Sequence, residues 1–350
     1  MPLVCCLRFE TSCETRNPVL RLVWDLIFFD QDRSHHSREE ADHLSPDWKR
    51  HARRELVEMR GGARAWSYRR SGTLAVEPTS LACLGLLASA GDEPTEGLVA
   101  TSRVAANWMS AIQQADGSLP VSPNLETPGW STPYALLLWS SLTGYEPARL
   151  SAQAWLLRDH DGARPVHEIN DRILGHNPTI HGWPWVEGTH PWIEPTAMAI
   201  LALCRERRGD HPRVVEGIRL ILDRALDRGG WNCGNKKVFG HALRPLPGPT
   251  GTALLALAAH GDRSRTVSRA LDYLLGTLPS VRAPVSLGWG VLALRAYHAC
   301  PVQADLWLAE AFETCRRRTD STMSLALLLL AAGADESCLI SQPITSGDSP

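Results

Sequence analysis

The sequence repeats one helical hairpin about six times, and this repeat restricts the possible folds more than any other feature. Six segments begin with small or turn-forming residues and continue as helices that are apolar on nearly every side: 76–91, 131–144, 193–209, 247–261, 285–299 and 321–333. A more amphipathic helix precedes each of them, at 46–60, 98–114, 148–159, 211–228, 264–277 and 303–318.

This alternation of two helix types indicates two concentric layers. A helix that is apolar all round must be buried, whereas a helix with one apolar face can lie against solvent. The pattern therefore predicts an all-α fold, a single α/α toroid in which an outer ring of helices surrounds an inner ring.

Local signals set the ends of these helices. Four links that follow outer helices contain a glycine, which is typical of a helix C-terminus. Two inner helices open with the sequence EPT, and we expect Pro78 and Pro195 at the first helical position. Glu77 and Glu194 would then be N-cap or first-turn residues.

The repeats define the domain boundaries. We expect one toroid over 46–333, a poorly structured N-terminal extension over 1–45 and a disordered tail over 334–350. The apolar run in the extension contains Arg21 and Asp25 and is too short to cross a bilayer, so we predict no signal peptide and no transmembrane segment.

The net charge and the cysteine content indicate which kinds of binding partner and which cellular compartment to expect. The formal net charge is −2, which gives no electrostatic reason to expect binding to nucleic acid or to an anionic membrane. A neutral or apolar small molecule fits better. The nine cysteines form no CxxC pair and no disulfide-scaffold spacing, which favours a cytoplasmic location.

The repeats resemble a known superfamily. The stretches WMSAIQQADGSLP, ALDRGGWNCGN and PTGTALLALAAHG are similar to the prenyltransferase/squalene oxidase repeats of terpenoid cyclases and protein prenyltransferases. The resemblance covers about 46–333. It implies an α/α barrel that encloses an aromatic-lined cavity for isoprenoid chains.

The resemblance also implies a position for a catalytic acid. Cyclases similar to squalene-hopene cyclase carry a DxDDTA-like motif, and WIEPTA superposes on it with Glu194 at the proton-donating aspartate. This sequence differs from the family because one of the three carboxylates is present and because the chain has residues for one barrel. The D-x-C zinc pair of prenyltransferases and a DDxxD-type magnesium cluster are absent from the sequence.

The catalytic candidates are Glu194, His190 and Glu187. A carboxyl group at the mouth of an apolar cavity has a raised pKa, as a proton donor to an alkene or epoxide requires, and His190 could orient it through a hydrogen bond. The simpler interpretation is that Glu194 caps its helix, because Glu77 occupies the equivalent place in an earlier repeat.

Tryptophans are concentrated in the links that lead to inner helices. In a toroid these links share one rim, where indoles could shield a carbocation, stack on a flat ligand or close the barrel as core residues. We favour a structural role for Trp231. For Trp183, Trp185 and Trp192, which lie in WPWVEGTHPW, we favour a ligand surface. The substrate-binding candidates are Trp66, Trp130, Trp183, Trp185, Trp192 and Trp231.

These observations leave three functions open. The first is an isoprenoid-binding protein that resembles class II terpene cyclases and uses Glu194 as a general acid. The second is a carbohydrate-active toroid enzyme in which Glu187 and Glu194 form a carboxylate pair. The third is a non-catalytic binding protein or scaffold. We predict no metal and no cofactor, because Cys233 and His241 match no zinc spacing and no phosphate-binding or dinucleotide motif occurs.

Overall fold

Two concentric rings of α-helices form the fold. The computed structural model describes residues 47–90, 96–158, 175–318, 320–333 and 339, and within this part of the chain there are twelve α-helices. The outer helices are α1 (Trp48–Arg60), α3 (Glu96–Ile112), α5 (Glu146–Leu157), α7 (Pro212–Asp223), α9 (Arg265–Thr277) and α11 (Ala304–Arg318). The inner helices are α2 (Val76–Ala88), α4 (Ser131–Ser140), α6 (Ile193–Arg205), α8 (Pro247–His260), α10 (Pro284–Ala296) and α12 (Thr322–Gly333).

The inner helices pack side by side into a closed ring. Each contacts the next in chain order, and α12 returns to pack against α2. Every residue of α4 is buried, as expected for a helix that is apolar all round, whereas outer helices such as α9 bury one face only. The all-α toroid predicted from the repeats is therefore the fold of this chain.

Glycines on the inner helices allow this close packing. A side-chain carbon at Gly85 of α2 would lie 2.5 Å from the carbonyl oxygen of Ala326 on α12. One at Gly251 of α8 would come equally close to the backbone of Trp289 on α10. The backbones of neighbouring inner helices are thus in direct contact at these crossings, and no larger residue fits there.

One tryptophan–threonine link recurs in three of the repeats. The backbone N–H of Trp66, Trp183 and Trp231 donates to the hydroxyl of Thr79, Thr196 and Thr250, in each case at 2.9 Å. Each threonine lies in the first turn of an inner helix, and its hydroxyl also bonds to the carbonyl of the same tryptophan. The threonine at this position, which follows EP in two repeats and GP in the third, therefore joins the incoming link to the start of the inner helix.

Removing one of these threonine hydroxyls should destabilise the fold. We expect Thr250→Val to lower the free energy of unfolding by about 1–3 kcal/mol, because the buried N–H of Trp231 loses its acceptor. Urea denaturation would measure this loss. Thr252→Val is the matched control, since the buried Thr252 hydroxyl bonds only to the Pro249 carbonyl of its own helix. Equal losses for the two variants would contradict a special role for the link.

The helix starts differ from the sequence prediction in one detail. Pro78 and Pro195 are the third helical residues and not the first, because the N-caps are Ala75 and Trp192. Both N-cap residues have extended backbone, and neither helix receives a side-chain cap hydrogen bond. The helical conformation thus begins directly after the link has paired with the preceding tryptophan.

Two short antiparallel hairpins lie in the links that precede inner helices. The first pairs β1 (Pro120–Ser122) with β2 (Leu125–Pro128), and the second pairs β3 (Lys237–Val238) with β4 (His241–Ala242). The predicted extension at 1–45 and nearly all of the predicted tail at 334–350 lie outside the described residues. Among the described helices, none combines the length and apolarity needed to cross a membrane.

Candidate functional site

The first turns of the inner helices gather polar side chains at one end of the toroid. Successive inner helices run in the same direction, so their N-termini share one rim. At this rim α2 contributes Glu77, α4 contributes Tyr134 and α6 contributes Glu194. The residues preceding these helices add Tyr68 and Trp130. The repeat therefore places two glutamates and several aromatic side chains in one cluster, which we call the rim site.

Glu77 is the buried anionic centre of the rim site. Its Oε2 accepts hydrogen bonds from the Tyr68 hydroxyl at 2.6 Å and from the Trp130 indole N–H at 3.1 Å, and Tyr134 donates a further bond. Burial raises the pKa of Glu77, and these three donors oppose the rise because they favour the charged carboxylate. Glu77 is thus a buried carboxylate whose negative charge is held by neighbouring donors.

Glu194 lies close to Glu77 but has a different environment. It has no hydrogen bond to any described residue. Burial of its carboxyl group, together with the charge of Glu77, raises its pKa to about 7. When two carboxyl groups interact, the one with more hydrogen-bond donors loses its proton at the lower pH. Glu77 has these donors and therefore ionises before Glu194. Glu194 therefore retains its proton up to near neutral pH.

Neither glutamate is the N-cap residue of its helix, although the first-turn position of each complements the helix dipole. Both lie in the first helical turn, as predicted, yet neither side chain caps its helix. Glu77 instead accepts bonds from residues on other elements, and Glu194 is a partly buried residue whose pKa is raised by desolvation and by the charge of Glu77. Their equivalent positions in two repeats bring them together as a pair.

The other two catalytic candidates lie apart from the Glu194 carboxyl. The His190 ring packs against Trp192 at 6.0 Å and against His176 at 5.9 Å between ring centroids, and it does not hydrogen-bond to Glu194. Glu187 is exposed in the turn before α6 and does not influence the pKa of Glu194. The carboxyl group that acts on Glu194 is therefore that of Glu77 and not that of Glu187.

Three of the six tryptophan candidates occupy the same structural position. Trp66, Trp183 and Trp231 are buried, and each indole N–H donates to a carbonyl of the preceding outer helix. Arg213 also stacks over Trp183, with 4.5 Å between its Cζ and the ring centroid. These contacts account for the three residues as links between the inner and outer rings.

The remaining three tryptophans face the rim site or its surroundings. Trp130 is bound to Glu77 and meets Trp185 edge to face at 5.2 Å between ring centroids. Trp185 and Trp192 are half-buried. A small cleft is lined by three tryptophans, Trp130, Trp155 and Trp183, together with Glu187 and residues of α4, α5 and α6, whereas Trp185 and Trp192 are not among its lining residues. An apolar ligand at the rim would find aromatic surface here.

Three members of the rim site were not among the catalytic or substrate-binding residues predicted from the sequence, although Glu77 was recognised there as the equivalent of Glu194. Tyr68, Glu77 and Tyr134 became candidates only when the fold placed α2 beside α4 and α4 beside α6. A signal was present in the sequence, because VEPT and IEPT align position by position and so predict that both glutamates lie at the same level of the ring. The described residues hold no group of three or more His, Cys, Asp or Glu side chains that could bind a metal ion.

Comparison with solved structures agrees with this architecture. A type II terpene cyclase, MstE from Scytonema, in complex with geranylgeranyl dihydroxybenzoate as substrate, matches with a TM-score of 0.54 and 12% identity, covering 82% of this chain and 97% of that one. A second MstE structure, with the product merosterolic acid A, matches with a TM-score of 0.51 and 14% identity over 81% and 96% of the two chains. A protein from Actinoplanes matches with a TM-score of 0.52 and 17% identity over 81% and 98%.

These likenesses concern the fold. At such identities the shared feature is the toroid, which resembles that of type II terpene cyclases. No protein-family model and no curated protein matches the sequence. The chemistry must therefore be argued from the residues of the rim site.

Proposed function

We propose that this protein is an isoprenoid cyclase that starts its reaction by protonation. The observation that carries the proposal is the pair of glutamates in the rim site. Glu194 has a pKa raised to about 7 and so remains an acid near neutral pH, while donors hold Glu77 as an anion beside it. A proton donor to a carbon–carbon double bond or an epoxide needs this kind of desolvated carboxylic acid.

The proposed reaction assigns a role to each neighbour. Glu194 transfers its proton to a terminal alkene carbon or an epoxide oxygen, which leaves a carbocation on the substrate and a carboxylate on Glu194. The negative charge of Glu77 and the ring faces of Trp185 and Trp192 stabilise that cation. Ring closure follows, and loss of a proton from carbon to a base ends the reaction. Glu194 then regains a proton from solvent.

The ligand class is supported by the fold neighbours as well as by the site. MstE is named as a type II terpene cyclase with a geranylgeranyl substrate. In this chain the rim site offers indole and phenol surface beside one acid. We therefore propose an apolar isoprenoid chain as the ligand and an acid-initiated reaction that requires no metal.

The test is product analysis with a matched pair of variants. Purified protein is incubated with squalene, oxidosqualene or geranylgeranyl diphosphate, with and without a chelator, and the organic extract is analysed by mass spectrometry. We expect a cyclic product that persists with chelator and decreases by about 10²- to 10⁴-fold in Glu194→Gln. Glu146→Gln is the control, because Glu146 is an exposed first-turn glutamate of α5.

Two results would count against this function. Equal product from the wild type and Glu194→Gln would exclude Glu194 as the acid. Absence of product in the wild type, with no isoprenoid retained by the purified protein, would favour a toroid that binds another ligand without this chemistry.

A further inference from the structure

Arg224 is a buried arginine in which two of the three guanidinium nitrogens have no hydrogen-bond partner. It is the first residue after α7, and its side chain reaches under the link that leads to α6. The residue is 1% exposed, and its Nη1 donates to the Pro191 carbonyl at 2.5 Å. Its Nε and Nη2 are buried and have no hydrogen-bond partner.

The two unpaired nitrogens form one edge of the guanidinium plane. The N–H groups of Nε and Nη2 point the same way, and this edge binds carboxylates and phosphates through two parallel hydrogen bonds. Because Pro191 occupies Nη1, the bidentate edge of Arg224 stays available as a unit. A buried charge without a partner is strongly unfavourable, which indicates that a ligand completes this arrangement.

Among the residues that the structure describes, no carboxylate binds that edge of Arg224. Asp223 lies next to it in the chain and partly offsets its desolvation, but the Asp223 Oδ2 accepts from the backbone N–H of Asn177. Burial lowers the pKa of Arg224 to about 10, which agrees with an incompletely neutralised guanidinium. The pKa of Glu194 is set by burial and by Glu77, so Glu194 does not pair with Arg224 either.

The neighbours of the guanidinium group on its Nη1 side are aromatic and lie close to two histidines. The ring of Trp192 and the guanidinium flank Gly234, where a side-chain carbon would lie 3.1 Å from the ring and 3.4 Å from Nη1. His190 contacts Trp192, and His176 contacts His190. Residues 190–192 are half-buried, so a solvated segment borders the guanidinium. Trp192 thus lies between the guanidinium on one side and the two histidines on the other.

We propose that the Nε–Nη2 edge of Arg224 binds an oxyanion, either a carboxylate or a phosphate, of a ligand at this rim. The site requires only the anion and is independent of proton donation by Glu194. The oxyanion belongs either to a small free ion or to the polar end of an organic ligand, and the two sources share the same bidentate contact.

Thermal unfolding with inorganic anions tests the site itself. Phosphate, pyrophosphate and acetate are titrated separately at constant ionic strength set with sodium chloride. We expect at least one of them to raise the Tm of the wild type by about 5 °C at 100 times its Kd. Arg224→Met should show no such rise and, without anion, should unfold at the same temperature as the wild type or higher.

A matched variant and a second measurement keep the result interpretable. Arg213→Met removes another packed guanidinium, one whose Nε already donates to the Leu156 carbonyl, and it should keep the anion response. A wild type that responds to none of the three anions overturns the proposal, and so does an equal response in Arg224→Met. If Arg224→Met does not fold, Arg224→Lys replaces it, because lysine keeps the charge without the bidentate edge; a response in Arg224→Lys equal to that of the wild type overturns the proposal.

A lipid pair identifies the source of the anion. Geranylgeranyl diphosphate that binds the wild type more tightly than geranylgeraniol, with the preference lost in Arg224→Met, assigns the oxyanion to the organic ligand. Equal binding of the two lipids, together with a response to inorganic anions, assigns it to a free ion. Glu194→Gln should retain every one of these anion responses, so failure of the cyclase proposal and failure of this site give different results.

Discussion

The Glu194→Gln variant is expected to be more stable than the wild type at pH 8, by up to about 3 kcal/mol. The pKa of Glu194 rises from 4.5 in the unfolded chain to about 7 in the folded protein. Each unit of pKa shift corresponds to about 1.4 kcal/mol. Stability that is fully present below pH 4.5 is therefore lost as the pH rises through 7. Glutamine keeps the shape of the acid and cannot ionise, so the variant avoids this loss.

Denaturant unfolding between pH 4 and pH 8 measures the effect. The difference between variant and wild type should be small at pH 4 and should grow steadily above it. Glu77→Gln is the comparison, and its gain at pH 8 should be smaller, because burial raises the pKa of Glu77 as well but the variant also weakens the hydrogen bonds from Tyr68 and Trp130. A stability difference for Glu194→Gln that does not change with pH would mean that Glu194 ionises normally in the folded protein.

Trp231→Ala is expected to lower the free energy of unfolding by about 3–5 kcal/mol, the range for truncation of a buried aromatic side chain. Trp231 is fully buried, and its indole N–H donates to the Ile221 carbonyl at 2.7 Å. Trp185→Ala should cost less stability, because Trp185 is half-buried whereas Trp231 is fully buried. Its removal should instead reduce isoprenoid binding or turnover.

Urea unfolding and product analysis of both variants separate the two roles. Trp231→Ala that remains folded should keep its product pattern, while Trp185→Ala should change the amount or identity of product. The reverse assignment, with a stable Trp231→Ala and a destabilised Trp185→Ala, would show that the indoles near the rim maintain the fold and that those in the links bind ligand.

The fold could be predicted from the sequence because buried helix faces produce a periodic pattern of apolar residues. Inner helices such as α4 are apolar on all sides, outer helices such as α9 on one side, and their alternation gives the two rings. The predicted helices also coincide closely with those observed: 193–209 was expected and Ile193–Arg205 is found. The exact helix starts were less predictable, because the links pair with tryptophans before the helical turns begin.

The site was accessible only in part. Glu194 could be chosen because WIEPTA superposes on a family motif, whereas its partner Glu77 lies 117 positions earlier and meets it only through ring geometry. Arg224 gave no local signal at all, since an arginine at a helix end is ordinarily exposed. Its burial depends on the link at 190–192, which comes from another repeat.

Ring closure distinguishes this molecule from open repeat proteins. The Lys49 ammonium in α1 donates to the Ala332 carbonyl in α12, and the backbone of Thr322 donates to Tyr68, so the first and last repeats are joined. An open solenoid needs capping repeats at its ends and can lose one end by fraying. Here no repeat is terminal, and the contact that completes the ring spans 283 positions of sequence. Forming the contact between the first and last repeats has the largest loop-closure entropy cost in the described chain. Tyr68, which takes part in that contact, also binds Glu77. A ring that is open at this point therefore has an incomplete rim site.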